Sequence, residues 1–464
     1  MPAIAALGEA DDTLATLARF FVLGLPVPRE SLAAALPDFG VKAVVRAQFA
    51  AEVGAEIAPL VELAAHDFVD PTGVSSWWIV ADLGQVGRRG ELPPAHVVGV
   101  GGASRTLAGL MIHTHVDSAL DLGTGSGILA LLASRFSERV VATDISARAL
   151  NFARFNAELN GATNIEFRLG NLFEPLVGER FDRILSNPPF VITPRSAAGV
   201  PAYDYRDGGR VGDGLTEAIV AAIPAHLSPR GIAQLLGNWE TRDGVDGLER
   251  VREWTDDAGL DAWVIERERQ DPSRYAETWI RDGGAVAGER FDELHGEWIA
   301  DFAERNVVSI GFGFLTLRPP TPGSSARVEQ LTGPLGHNPL GLGAHVAECL
   351  AATDVESRLS DDQLGSSRLV VAADVTEERH YWPGTEHPTV MSLRQGGGFG
   401  RTVPLDTALA GLVGACDGEL TVYAIIAALA ELLEADEAEL ADELLPRIRD
   451  LVVVGFLHFA ARAG

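Results

Sequence analysis

The segment Asp121-Leu122-Gly123-Thr124-Gly125-Ser126-Gly127 constrains this chain more than any other, because an apolar run precedes it and an amphipathic run follows. Glycines at alternate positions let a strand turn sharply into a helix and bring the backbone close to a bound ligand, with no Cβ between them. From about residue 96 to 318, apolar strands alternate with helical stretches, which predicts a doubly wound, mainly parallel α/β sheet covered on both faces. The predicted strands are Ser118–Leu122, Val140–Thr143, Ile165–Leu169, Phe181–Ser186, Gly231–Leu236, Ala262–Glu266 and Val307–Leu317. The predicted helices are Ile128–Phe136, Ala147–Leu159 and Leu215–His226, and Ser273–Glu304 reads as an insertion between the last two strands.

Two smaller regions flank this core. Residues 1–95 read as mostly helical, punctuated by Pro26 and Pro28 and closed by a strand over Trp77–Ala81, in a winged-helix-like domain. A linker at Pro319-Pro320-Thr321-Pro322-Gly323-Ser324-Ser325 opens the last region, 319–464. There Gly396-Gly397-Gly398-Phe399-Gly400 reads as a turn or flexible loop. Leu405–Ala460 reads as helices with a closing strand over Leu451–Phe459, again winged-helix-like. Its Glu431–Glu443 stretch carries seven acids and no base, a pattern foreign to a DNA-reading helix.

The remaining composition narrows the class. A chain of 464 residues exceeds one ordinary core, so two or three domains are expected. No apolar run reaches the roughly 18 residues that would cross a bilayer, and the start Met1-Pro2-Ala3-Ile4 lacks the basic region of a signal peptide. Cys349 and Cys416 stand far apart without metal-ligand spacing, as in a reducing, cytoplasmic setting. Acids outnumber bases 65 to 37, for a net charge of −28, with Lys42 the only lysine. Phosphate backbones are gripped by basic patches, so this balance weighs against a large RNA or DNA footprint.

The glycine loop has two bland readings, an ordinary strand-to-helix turn and a dinucleotide-binding loop. Asp144, at the end of the next strand, favours a nucleotide-like cofactor, since an acid there accepts hydrogen bonds from ribose hydroxyls. It is equally placed to cap the following helix. Asn171, after the third strand, is placed to contact an adenine edge.

Asn187-Pro188-Pro189-Phe190 ends the fourth strand. Its prolines fix φ and leave carbonyls without a competing local N–H. The Asn187 side-chain carbonyl and the Pro188 backbone carbonyl can each accept one hydrogen of a planar –NH2 group, while Phe190 offers a flat stacking face. The bland reading is a proline-stiffened strand end. With the glycine loop upstream, the pair points to methyl transfer onto an amide or exocyclic amine nitrogen, which needs orientation more than a strong base. No metal is required.

Asp121–Gly127, Asp144 and Asn187–Phe190 resemble class I S-adenosylmethionine-dependent methyltransferases. The longer run Asn187–Pro194, with Gly208-Gly209-Arg210 and Leu227-Ser228-Pro229-Arg230-Gly231, is similar to the eukaryotic and archaeal branch of HemK-type protein-glutamine methyltransferases. The resemblance covers roughly residues 100–318 and implies a seven-stranded methyltransferase sheet with S-adenosyl-L-methionine as cofactor. It implies Asp121, Gly123, Thr124, Gly125, Gly127, Asp144, Ile145, Asn171, Leu172 and Asn187 around that cofactor. Asn187, Pro188, Pro189 and Phe190 would hold the reacting amide, Phe190 standing where the family has tyrosine. That family methylates a glutamine in translation release factors, and some members act with a small zinc-binding partner.

Three functions therefore compete: methylation of a protein amide, methylation of an adenine or guanine exocyclic amine in RNA or DNA, and cofactor binding without turnover. Arg105 reads as a surface arginine or as a contact for the cofactor carboxylate. His113 and His115 are expected on one helix at a spacing too poor to share a metal. Arg210 reads as a substrate contact or a loop-ordering residue.

Overall fold

Strands Val116–Leu122 (β1), Ser137–Asp144 (β2), Ile165–Leu169 (β3), Phe181–Ser186 (β4) and Leu227–Arg242 (β5) run parallel. Asp261–Gln270 (β6) and Val307–Arg318 (β7) complete the expected seven, with β7 antiparallel to both β5 and β6. The structure, a computed structural model that describes residues 12–84, 93–194, 208–321 and 326–460, adds one strand to them. Arg327–Gln330 (β8) lies at the edge, giving the order β8-β6-β7-β5-β4-β1-β2-β3. Four residues just past a proline cluster carry too short a pattern to announce a strand, which is why seven were expected.

The order turns at β1, with β2 on one side and β4 on the other, so the crevice at their carboxyl ends is where an open α/β sheet takes a ligand. The inner strands read as continuous apolar runs because both faces are covered. Leu120, Leu122, Ile184, Leu235 and Trp239 join Ile219 and Ile223 of helix Gly214–His226 in one cluster of this core.

Four helices matter to the site: Gly102–Leu110 (α1), Ile128–Ser134 (α2), Ala147–Leu159 (α3) and the insertion helix Pro272–Asp282 (α4). The insertion is two helices, α4 and Glu289–Glu304, joined by a short turn over 283–288. Asp271 caps α4 by accepting the Ser273 and Arg274 N–H groups, each at 3.0 Å. Tyr275, Ala276, Ile280, Leu294, Trp298 and Phe302 pack with Val191 and Ile192, so the insertion covers the segment that leaves β4. Helix α1 stops at Leu110, which leaves His113 and His115 beyond it rather than on a shared helix.

Residues before the sheet are less helical than expected. Short helical turns over Thr13–Leu17, Ala18–Val22, Arg29–Ala35 and Val41–Arg46 give way to a small three-stranded sheet and a long hairpin, Val61–Asp70 with Gly73–Asp82. The turn Asp70-Pro71-Thr72-Gly73 explains the hairpin. Asp70 accepts the Thr72 N–H at 2.7 Å, and Gly73 takes φ +121°. Alanines at 64 and 65 blur the alternation that would have marked the first arm as a strand. The expectation about Met1–Ile4 lies outside the described residues, as does the Pro322–Ser325 part of the linker.

Contacts divide the chain into two units: Met1–Ala108 with Thr114–Pro319 and Ala326–Glu329, and Gly109–His113 with Pro320–Ser325 and Gln330–Gly464. The second unit has two three-stranded sheets and a core built around Leu412, Ile426, Leu444, Ile448 and Phe456. Its Gly396–Gly400 segment is a pinned turn, not a flexible one. Asp374 accepts the Gly397 N–H at 2.7 Å and Asn338 accepts the Gly398 N–H at 2.8 Å. The expected strand over Leu451–Phe459 is shorter: helix Glu437–Val453 runs into it, Gly455 turns at φ +79°, and only Leu457–Phe459 is extended. The acidic stretch has a local cause, because Asp436 caps that helix and Glu437 and Glu439 sit in its first turn, where the helix dipole favours acids.

Candidate active site

Register alone brings the two sequence motifs together. Leu122 pairs with Ser186 across β1 and β4, and with Thr143 across β1 and β2. The glycine loop, Asn187 and Asp144 therefore leave the same edge of the sheet on adjacent strands. Ser186 fixes the junction by donating its hydroxyl to the Leu122 carbonyl at 2.9 Å.

The loop is held from beneath. Gly123 and Thr124 both donate backbone N–H groups to the Thr143 carbonyl at 2.9 Å. Gly125 and Gly127 take φ +55° and +91°, and a Cβ on Gly127 would stand 3.0 Å from Ala153 of α3. That contact requires glycine. Above Gly123 and Gly125 the space is open among the described residues, a cradle that side chains would fill. Asp121 is completely buried, and its carboxylate accepts the Thr124 hydroxyl at 2.6 Å. Burial pushes its pKa up to about 7, against the pull of that hydrogen bond, and the neighbouring Asp144 pushes the same way. Asp121 thus shapes the loop from below.

Asp144 reaches across from β2. Its Oδ2 accepts the Gly125 N–H at 2.9 Å, and its Oδ1 accepts the Ser146 N–H at 2.8 Å. Ser146 itself caps α3, so the competing reading of Asp144 as that helix's cap gives way to an acid that braces the loop. Ile145 is exposed beside it. The Gly170 N–H bonds to the Asp144 carbonyl at 3.0 Å and carries the turn after β3 to the same place. There Asn171 is exposed, and Leu172 takes φ +47°, a left-handed conformation that costs a non-glycine residue about 1 kcal/mol or more. Leu172 packs against the central core, which supports that strain.

Asn187 is half-buried. Its Nδ2 donates to the Ser104 hydroxyl oxygen at 3.2 Å, and its Oδ1 is buried with no hydrogen-bond partner among the described residues. The Pro188 carbonyl already accepts the Phe190 N–H at 2.7 Å, which closes a tight turn at Pro189 and leaves that oxygen one further lone pair. The Phe190 ring lies 5.3 Å from Phe312 and 6.5 Å from Trp279. The Tyr275 hydroxyl accepts the Ile192 N–H at 3.1 Å and also bonds the fully buried Asn238 of β5. Both ends of the Asn187–Ile192 strap are thus tied down.

Ser104, Asn156, Asn238 and Tyr275 were not expected at the site. Asn156 on α3 donates to the carbonyls of Ser126 in the glycine loop and Val80 in the hairpin, at 2.8 and 2.9 Å. Asn156, Asn238 and Tyr275 are buried and Ser104 is half-buried, and polar neighbours such as Arg105, Arg154 and Arg274 leave no sequence pattern that marks them. Arg105 lies elsewhere, exposed, with Nη2 3.1 Å from His66 Nδ1. Arg210 is exposed at the start of the turn before Gly214. No group of metal-ligating side chains occurs among the described residues, and no helix there is long and apolar enough to cross a membrane.

Residues 99–200 match the family described as methyltransferase small domain. Residues 1–60 and 354–459 match two further families, described as domain of unknown function DUF7059 and DUF7782. A release factor glutamine methyltransferase of Xylella fastidiosa is 40% identical over 136 residues, covering 28% of this chain and 49% of the relative. A ribosomal protein uL3 glutamine methyltransferase of Bordetella pertussis is 38% identical over 130 residues, covering 26% and 43%. The chain therefore spans about half the length of the curated relatives it matches. Among solved structures, the ribosomal protein L11 methylase of Lactobacillus delbrueckii subsp. bulgaricus is 19% identical with a TM-score of 0.28, covering 48% of this chain and 81% of that one.

Proposed function

We propose that this chain, whose residues 99–200 form a class I methyltransferase module of the HemK type, is an S-adenosylmethionine-dependent N-methyltransferase acting on a glutamine side-chain amide of a protein. One observation carries the reading. At the carboxyl edge of the sheet, beside an open glycine cradle, the carboxamide oxygen of Asn187 is buried and lacks a donor among the described residues. A buried acceptor left so costs about 1–3 kcal/mol unless a ligand supplies the donor.

The residues around the cradle fit the cofactor. Gly123, Thr124 and Gly125 would pass beneath it, Asp144 would face its ribose, and Ile145, Asn171 and Leu172 would border its base. S-adenosylmethionine bound there supplies an electrophilic methyl group. Asn187 Oδ1 and the second lone pair of the Pro188 carbonyl accept the two hydrogens of the substrate amide and fix its plane. Phe190, backed by Phe312 and Trp279, stacks on that plane. Holding both hydrogens localises a lone pair that is otherwise delocalised over the amide, so orientation does the work that a strong base would do elsewhere.

The names of the matching relatives support a protein acceptor from the translation apparatus, and hence a cytoplasmic setting. The net charge of −28 supports it over a nucleic acid. Kinship with the eukaryotic and archaeal branch rests on Asn187–Pro194, Gly208–Arg210 and Leu227–Gly231. We place the catalytic domain at 96–318, with 1–95 and 319–464 as accessory winged-helix-like domains.

The test is methyl transfer from labelled S-adenosylmethionine into a lysate separated into protein, RNA and DNA. Label is expected in protein, and Asn187→Ala is expected to remove all but a residual trace of it while calorimetry still detects cofactor binding. Label confined to RNA or DNA assigns the site to a nucleobase amine and removes the present reading.

A further inference from the structure

Ser104 stands on α1, outside the strand ends and loops that carry the rest of the site. Its hydroxyl oxygen accepts Asn187 Nδ2 at 3.2 Å. An asparagine carboxamide presents donors at one end and an acceptor at the other, and its terminal torsion is broad and two-fold. The side chain alone therefore does not choose which end faces the reacting amide. Turned by half a revolution, Asn187 would set N–H groups against the N–H groups of its substrate.

Nothing next to it in sequence makes the choice. The Ser186 hydroxyl is engaged with the Leu122 carbonyl at 2.9 Å, and Pro188 and Pro189 have no N–H to offer. Among the described residues Ser104 is the polar partner of the Asn187 carboxamide, and it engages the nitrogen. The oxygen is the atom left buried and unpartnered among the described residues.

We propose that Ser104 is a positioning residue for methyl transfer: it holds the Asn187 carboxamide at its nitrogen and so fixes the plane of that side chain, with the oxygen on the side of the acceptor amide. This rests on the reading of Asn187 given above. The chemistry stays with Asn187, and Ser104 acts only through it.

The experiment uses the full-length protein, labelled S-adenosylmethionine at saturation and the protein fraction of a lysate as acceptor. Serine to alanine inside a helix raises helix propensity, so Ser104→Ala is expected to fold. It should lower the limiting rate about tenfold, the loss of roughly one hydrogen bond. The half-saturating amount of acceptor and the calorimetric affinity for S-adenosylmethionine should stay within about twofold of the parent protein. Ser104→Thr, which keeps the hydroxyl, should recover most of the rate. In an Asn187→Ala background, measured at high enzyme concentration, adding Ser104→Ala should change the residual rate no further. An unchanged rate in Ser104→Ala, with Asn187→Ala reduced to a residual trace, overturns the proposal and leaves the proposed function standing. So does an equal loss in both backgrounds, which marks a purely structural serine. Failure of the parent protein to label any protein removes both.

Discussion

The carboxylate of Asp144 accepts the N–H of Gly125 at 2.9 Å, so an acid at the end of one strand braces the loop that leaves its neighbour. The same carboxylate would receive ribose hydroxyls, which makes cofactor binding and loop order depend on one side chain. Asp144→Asn keeps the shape and removes the charge. Hydrogen bonds to charged groups contribute about 1.5–3 kcal/mol, so affinity for S-adenosylmethionine should fall roughly ten- to a hundredfold. Calorimetry reads this directly, and an unchanged affinity would place the ribose elsewhere.

Asp121 predicts a pH dependence. Burial raises its pKa from 3.8 to about 7, so the folded protein holds that proton where the unfolded chain has released it. The stability it contributes is fully present below about pH 3.8 and is lost as the pH rises through about 7. Asp121→Asn does not titrate. Subtracting its urea-unfolding free energy from that of the parent should therefore leave a difference that falls with pH across this window. A flat difference would show that the carboxyl is not held protonated.

Tyr275 ties insertion to strap. Tyr275→Phe removes the hydroxyl that accepts the Ile192 N–H and bonds the Asn238 side chain, stranding two buried polar groups. Unfolding in urea should show a loss of about 1–3 kcal/mol. Hydrogen exchange at Ile192 should accelerate, and methyl transfer should weaken while cofactor affinity holds.

In the second unit, Gly398 takes φ +53° with the His345 ring 2.6 Å from where a Cβ would stand. Gly398→Ala has both strain and clash to absorb, and should destabilise that unit by about 1–3 kcal/mol. Faster hydrogen exchange over Val390–Leu405 checks it. Gly384→Ala, where φ is +86° but no atom lies within 4 Å of the added carbon, separates backbone strain from the clash.

Much of the eight-stranded sheet was legible because its signals are local. Strand bounds at Ile165–Leu169 and Phe181–Ser186 follow from short stretches, set between turn residues, in which charges alternate with or interrupt apolar residues, and the glycine loop announces its own geometry. Asn187 and Asp121 fall on one edge by sequence alone, because each stands at the carboxyl end of a strand in a parallel sheet. Ser104 and Tyr275 could not. Their roles depend on partners 83 residues away, and no spacing rule reports such a distance. Of the N-terminal hairpin, the second arm was legible as the strand over Trp77–Ala81, and the first was missed for a third reason. Alanine runs fit helix and strand alike; on the other arm, Asn156 of α3 and Asn160 just after it bond the backbone of Val80 and Trp78, in place of a further strand.

The ribbon Arg327–Gln330 has a practical corollary. Trimming a gene at the proline cluster, where the sequence invites it, would strip this outermost ribbon and uncover the backbone of Asp261–Gln270 beneath it. The indole of Trp263 would lose its 2.7 Å bond to Glu329, and the bared margin would invite copies to stick together. A fragment ending near residue 331 keeps that margin sealed.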